Sequence, residues 1–134
     1  RVIDAELTRE QLASVYTACD LLLHPYRGEG FCLPVLEARA CGLPVLATAG
    51  GATDALMVGP GAIKIPSTRR SLELQGAHVG APWVVEPSPD DTTRLLQEAL
   101  ADLPALQAKA RAFAPSVRAA YTWDAAAAAI EQLA

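Results

Sequence analysis

The chain has 134 residues, with 11 Lys and Arg against 15 Asp and Glu for a formal net charge of −4; 51% of it is hydrophobic and 19% charged. That is the composition of a globular chain of single-domain size, not of a disordered or fibrous one. The mild acidity, with no Lys/Arg-lined face, argues against a nucleic-acid or anionic-membrane footprint. No apolar run approaches the ~20 residues that a transmembrane helix needs. The opening RVIDAELTRE has no apolar signal-peptide core and no initiator Met, which suggests a piece cut from something longer. Most enzymes that devote one domain to each of two substrates would not fit in this length.

Thr8 and Gln11 read as a capping box. Leu12, Val15, Tyr16 and Cys19 then recur at i, i+3, i+4 and i+7, the apolar stripe of a helix over Arg9 to Cys19. After Asp20, the run LLLH is short enough for a buried strand, and Pro25 ends it. PYRGEG is a loop. A second helix is expected from Leu33, with Pro34 in its first turn, to about Cys41, capped by Gly42. PVLAT is a further buried strand, followed by Gly50, Gly51 and a short helix around Asp54 to Met57.

VGPGAIKIP reads as a turn and a short strand. STRRSLELQGAHVGAP is polar and weakly patterned, and WVVE is another strand. From Asp90, Leu95, Leu96, Ala99, Leu100 and Leu103 mark a helix. Pro104 opens the next, to about Ala112, and Pro115 interrupts it. A last helix follows Trp123 with Asp124 as its N-cap. This alternation is the grammar of a parallel α/β sheet, here of about four strands. The strands are continuous apolar runs, as expected where helices cover both faces.

Three cysteines, Cys19, Cys32 and Cys41, cannot all pair, and none forms a C-x-x-C motif. A reduced, cytoplasmic setting is therefore the default. His24 and His78 are far apart and make no metal-ligand pattern.

Arg27-Gly28-Glu29-Gly30 leads from the end of the first strand into the second helix's N-terminus at Cys32, Leu33 and Pro34. Ligands of parallel sheets bind beyond the carboxyl ends of the strands. The free N–H groups and positive dipole end of a helix favour an anion such as a phosphate there. Gly30 lets the backbone approach a ligand. Glu29 can accept hydrogen bonds from sugar hydroxyls, and Glu37, about one turn into the helix, can reach a vicinal diol such as a ribose. Two carboxylates flanking an anion site suit a nucleotide-sugar. The bland alternative is that Glu29 and Glu37 are solvated helix charges in a non-catalytic α/β module.

HPYRGEGFCLPVLEARACGLPVLATAGG resembles the signature of the retaining GT-B glycosyltransferases of the group 1 family, P-x-x-x-E-G-F-G-L-x-x-L-E-A-M-A-C-G-x-P-V. Pro25, Glu29, Gly30, Phe31, Leu33, Glu37, Ala38, Ala40, Cys41, Gly42, Pro44 and Val45 fall in place. Glu29 and Glu37 form the Glu-x7-Glu motif, and Gly50, Gly51 and Asp54 stand at its G-G-x-x-E. The clear likeness runs from about Leu7 to Asp54, with a looser one from Glu86 onward.

The resemblance implies a Rossmann-like parallel sheet with flanking helices, the C-terminal half of a GT-B fold truncated at its N-terminus. Residues 1–86 would be the core and 87–134 the helical part of one partial domain. It implies a donor site for a nucleoside-diphosphate sugar, with retaining transfer to an acceptor hydroxyl and no metal. Glu29 takes the catalytic role and binds hexose hydroxyls. The donor site also takes Gly30, the backbone amides of Phe31, Cys32 and Leu33, Glu37 on the ribose, and Gly50 and Gly51 across the crevice. The family's diphosphate-clamping Arg and Lys would precede the first helix, where only Arg1 to Leu7 stand. The acceptor-binding N-terminal domain would be missing, so the fragment is expected to be inactive and its closing helix to lack a partner. A sheet edge left bare could support a homodimer, and the longer protein could be membrane-peripheral. Another GT-B enzyme, such as a nucleotide-sugar epimerase or a phosphorylase, is the alternative.

The departures are specific. Cys32 replaces the second Gly of E-G-F-G, Arg39 replaces the Met and is expected on the helix's outer face, and Asp54 is shorter than the usual Glu. The stretch 60–85 resembles a subgroup with a longer Pro- and Trp-containing excursion. Phe31, Trp83 and Trp123 are expected to serve core packing. His24 is expected as a strand-end residue, and Arg27 at a phosphate or in solvent.

Overall fold

In a computed structural model of the chain, residues 2–73, 75–76 and 80–132 are described; His78 lies outside them. Helix α1 (Arg9–Ala18) starts at the expected capping box. The Thr8 amide donates to the Gln11 side chain at 2.8 Å, and the Gln11 amide donates to Thr8 Oγ1 at 3.3 Å. Strand β1 (Leu22–His24), helix α2 (Leu33–Ala40), strand β2 (Val45–Thr48), a 3-10 turn (Ala52–Ala55) and strand β3 (Ala62–Ile65) follow. The three strands are parallel in the order β1-β2-β3. All four residues of the central β2 are buried, which is why VLAT shows no alternation.

The two faces of this sheet carry separate cores. Val35, Ala38, Leu43, Val45, Ala47, Leu56 and Met57 cluster on the α2 side, with Tyr16 of α1 against them. Leu46, Ile65 and Ala99 cluster on the other, with Leu95, Leu96 and Leu106 against them. Each fully buried aliphatic side chain stabilises the fold by ~1.5–3 kcal/mol. At the end of α2, Gly42 takes a φ of 77°. Its amide donates to Arg39 O and the Leu43 amide to Ala38 O, closing the last carbonyls of the helix. β1 is an edge strand, and Leu23 on it is 37% exposed.

Several expectations are corrected. The polar stretch after Pro66 opens with a strand, β4 (Ser67–Ser71), antiparallel to β5 (Trp83–Pro87), so WVVE forms a separate ribbon and the main sheet has three strands. After α3 (Pro89–Ala101), α4 runs unbroken from Leu103 to Ala120 with Pro115 inside it. Pro115 is exposed, and the buried Ala110, Ala114 and Val117 keep one stripe across it; packing of that stripe outweighs the lost backbone bond. Helix α5 (Trp123–Glu131) is capped by Thr122, whose hydroxyl accepts from the Ala125 amide at 3.0 Å, and not by Asp124. None of its residues is buried, and Trp123 is 91% exposed, so it is not a core anchor. Trp83 is 42% exposed, with the Arg69 guanidinium 4.0 Å above its ring.

Candidate functional site

β1 and β2 end on one rim of the sheet, where open α/β sheets form their ligand crevice, and the loops that leave them adjoin there. Tyr26 ties the two together. Its buried hydroxyl lies 2.9 Å from Thr53 Oγ1 and accepts from the Thr53 amide at 3.4 Å. Thr53 in turn donates to Thr48 O at 3.1 Å, so the Tyr26 hydroxyl donates to Thr53. A Cβ on Gly51 would come within 2.5 Å of that hydroxyl. Gly51 is thus glycine because Tyr26 packs on it. Sequence reasoning passed over Tyr26, since a lone aromatic beside a Pro carries no spacing signal.

The crevice has a bare helix N-terminus. Cys32 is the N-cap of α2, yet its side chain makes no capping bond. The amides of Phe31, Cys32 and Leu33 donate to no acceptor among the described residues. Such amides at a positive dipole end are a ready anion site. A Cβ added at Gly30 would meet nothing within 4 Å, so space, not packing, surrounds the loop. Phe31 is 48% and Leu33 58% exposed beside it; Phe31 therefore does not pack in the core.

Glu29 and Glu37 lie on either side of this N-terminus along the chain. Glu29 lies on the approach, its Oε1 3.2 Å from His24 Nε2 at the end of β1. Glu37 is half-buried one turn into α2 and accepts from the Tyr16 hydroxyl at 3.0 Å. Burial, with the Glu37 carboxylate second, pushes the Tyr16 phenol well above its ordinary range, so it stays a donor. Burial likewise raises the Cys32 thiol.

On the β2 side, Asp54 accepts from the Gly50 amide at 3.0 Å and pairs with Lys64 at 3.2 Å. Asp54 therefore braces its own loop, and the Gly50 amide is taken. Arg27 pairs with Glu86 at 2.9 Å, while its carbonyl accepts from the Val85 amide. That couples the crevice loop to β5, with the Arg27 side chain exposed in solvent and paired with Glu86.

Arg39 is the clearest misplacement. It is 4% exposed, not on an outer face. α4 covers that side of α2, with Phe113 5.5 Å from the guanidinium, and one Arg39 nitrogen donates to Val58 O at 2.6 Å. A cleft of about 250 Å³ lies elsewhere: Leu43, Pro44 and Arg111 line it at the opposite, amino ends of the strands.

A parallel sheet covered by helices on both faces, with polar loops at the carboxyl ends of its strands, defines a Rossmann-like α/β domain. Residues 2–72 match the family described as Glycosyl transferases group 1. The chain belongs to that family.

Its curated relatives include D-inositol 3-phosphate glycosyltransferases. That of Mycobacteroides abscessus is 52% identical over 44 residues, which is 33% of this chain and 10% of the relative. That of Corynebacterium jeikeium is 31% identical over 124 residues, 92% of this chain and 25% of the relative. The chain thus spans a quarter or less of the length of these relatives. Among solved structures, the sucrose-phosphate synthase of Thermosynechococcus elongatus superposes with a TM-score of 0.71 at 23% identity, over 98% of this chain and 29% of that one. That likeness carries the fold.

Proposed function

We propose that this chain is the donor-binding part of a glycosyltransferase. It holds a nucleoside-diphosphate sugar whose hexose is transferred, with retention, to an acceptor hydroxyl. The observation that carries the reading is the bare N-terminus of α2: three amides without acceptors, flanked by Glu29 and Glu37. In this reading the diphosphate sits against the amides of Phe31, Cys32 and Leu33. As the anomeric bond breaks, negative charge grows on the departing diphosphate. Fixed donors aimed at developing charge are worth ~3–4 kcal/mol each where essential. Glu29 accepts from hexose hydroxyls, and the open space at Gly30 lets the sugar approach the backbone.

Glu37 accepts from the ribose diol. Tyr16 occupies one of its oxygens and leaves the other for the ligand. Gly50 and Gly51 contribute the facing wall and not amide donors, because the Gly50 amide is held by Asp54. No metal is required, since the amides and dipole carry the charge. In this reading the acceptor-binding domain and the cationic diphosphate clamp are not among these 134 residues. By itself the chain is expected to bind donors weakly and not to turn over.

The test is calorimetric titration of nucleoside-diphosphate sugars into the longer protein and its Glu37→Ala variant. Loss of at least about tenfold in affinity, ~1.4 kcal/mol, is expected. Unchanged affinity would instead make Glu37 a solvated helix charge of a non-catalytic module.

A further inference from the structure

His24, Glu29 and Cys32 meet at the crevice rim although no spacing rule joins them. Their ligating atoms, an imidazole nitrogen, a carboxylate oxygen and a sulfur, all lie within 4.8 Å of one another. His24 Nε2 and Glu29 Oε1 are already 3.2 Å apart. Bonds of ~2.0–2.3 Å to tetrahedral zinc set neighbouring ligand atoms about 3.3–3.8 Å apart. A small side-chain adjustment therefore closes the set.

The backbone of Cys32 fixes where its sulfur stands. It is the one non-glycine residue with positive φ among the described residues, at 69°. Glycine would hold that conformation at no steric cost, and the family signature has glycine here. The chain instead carries a thiol there, 4% exposed, with the Val35 amide of the first turn beside it.

The supports are firm. His24 ends β1, in register with Ala47 of the buried β2, and its ring lies 5.6 Å from that of Tyr26. Cys32 begins α2 and belongs to the core cluster beneath it.

We propose that His24, Glu29 and Cys32 form a site for a divalent transition metal, zinc by ligand type. One imidazole, one carboxylate and one thiolate suit borderline-soft Zn²⁺ and not Mg²⁺ or Ca²⁺, which take oxygen ligands. Binding releases the thiol proton to solvent, and the sulfur lone pair forms the metal bond. Three protein ligands leave a fourth position open. The occupied site would hold the carboxylate that the donor reading assigns to sugar hydroxyls, so the metal would hinder the donor and not assist it. The binding itself does not depend on that reading and is measured with no donor present.

The probe is Co²⁺, titrated into the chain under a non-thiol reductant, with parallel Zn²⁺ competition. A single equivalent is expected to produce thiolate-to-cobalt charge-transfer absorption that Zn²⁺ removes. Losing even an outer-shell partner costs ~10–100-fold in metal affinity, so Glu29→Gln and His24→Gln should each weaken binding by at least about tenfold. Cys32→Gly should abolish the absorption while circular dichroism stays unchanged, because glycine relieves the backbone. Cys19→Ser and Cys41→Ser should retain it. Absence of the charge-transfer band, its survival in Cys32→Gly, or its loss with Cys19 or Cys41 would overturn the site.

Discussion

At the crevice rim, a Cβ added to Gly28 or Gly30 would meet nothing within 4 Å. Where α4 crosses the first half of the chain, one added to Gly61 would lie 2.5 Å from Ala110 Cβ and 2.7 Å from its Cα, and one on Gly59 2.5 Å from the Phe113 ring. Both regions are glycine-rich in sequence, yet in one the missing side chain leaves room and in the other it permits contact. The seam spends its glycines on letting a helix approach a turn. The rim spends them on nothing inside the protein, which directs attention to a ligand. Gly51 lies between these cases, on the crevice but filled by Tyr26.

The contrast breaks most visibly at the seam. Gly61→Ala must overpack against α4 backbone and also hold a φ of 78°. We expect a loss of about 3 kcal/mol in urea unfolding; a loss under 1 kcal/mol would mean that α4 does not pack as closely as described. The intermediate case is Tyr26→Phe, which leaves the buried Thr53 amide without its acceptor. It should cost ~1–2 kcal/mol, read from the same unfolding curves, and a neutral result would remove Tyr26 as the tie between the two loops. The smallest effect on stability belongs to Gly30→Ala, expected within about 0.5 kcal/mol. If that variant proves as destabilised as the seam mutant, the rim glycine serves packing after all.

Much of the first half was legible from residues alone. Strong local signals agree with one another there: a capping box at Thr8, a Pro inside the start of α2, a Gly just past its end, and unbroken apolar strands. The flanking of the α2 N-terminus by Glu29 and Glu37 follows from their spacing along loop and helix. The failures share a physical cause, which is contact with distant chain. Arg39 is covered only because α4 lies on α2, and a periodicity read within α2 cannot include a neighbour far along the sequence. Pro115 tolerates its helix because Ala110, Ala114 and Val117 are packed, a tertiary gain that overrides local propensity. β4 escaped because its burial is shallow: Thr68, Arg69, Arg70 and Ser71 are all exposed, so no alternation marks the strand. The meeting of His24, Glu29 and Cys32 depends on the left-handed turn at Cys32, which no residue rule assigns to a cysteine.

The α4 seam also has a kinetic consequence. Gln107 bonds Asp20 across 87 residues, Arg118 bonds the Ala40 carbonyl across 78, and Tyr121 bonds the Ala55 carbonyl across 66. Contacts at such separations form only after a long loop has closed, and they slow folding. During synthesis, β1, β2 and α2 leave the ribosome well before the helix that clasps them exists. The crevice is therefore laid down early and braced late, and its nascent form must wait for the last third of this chain.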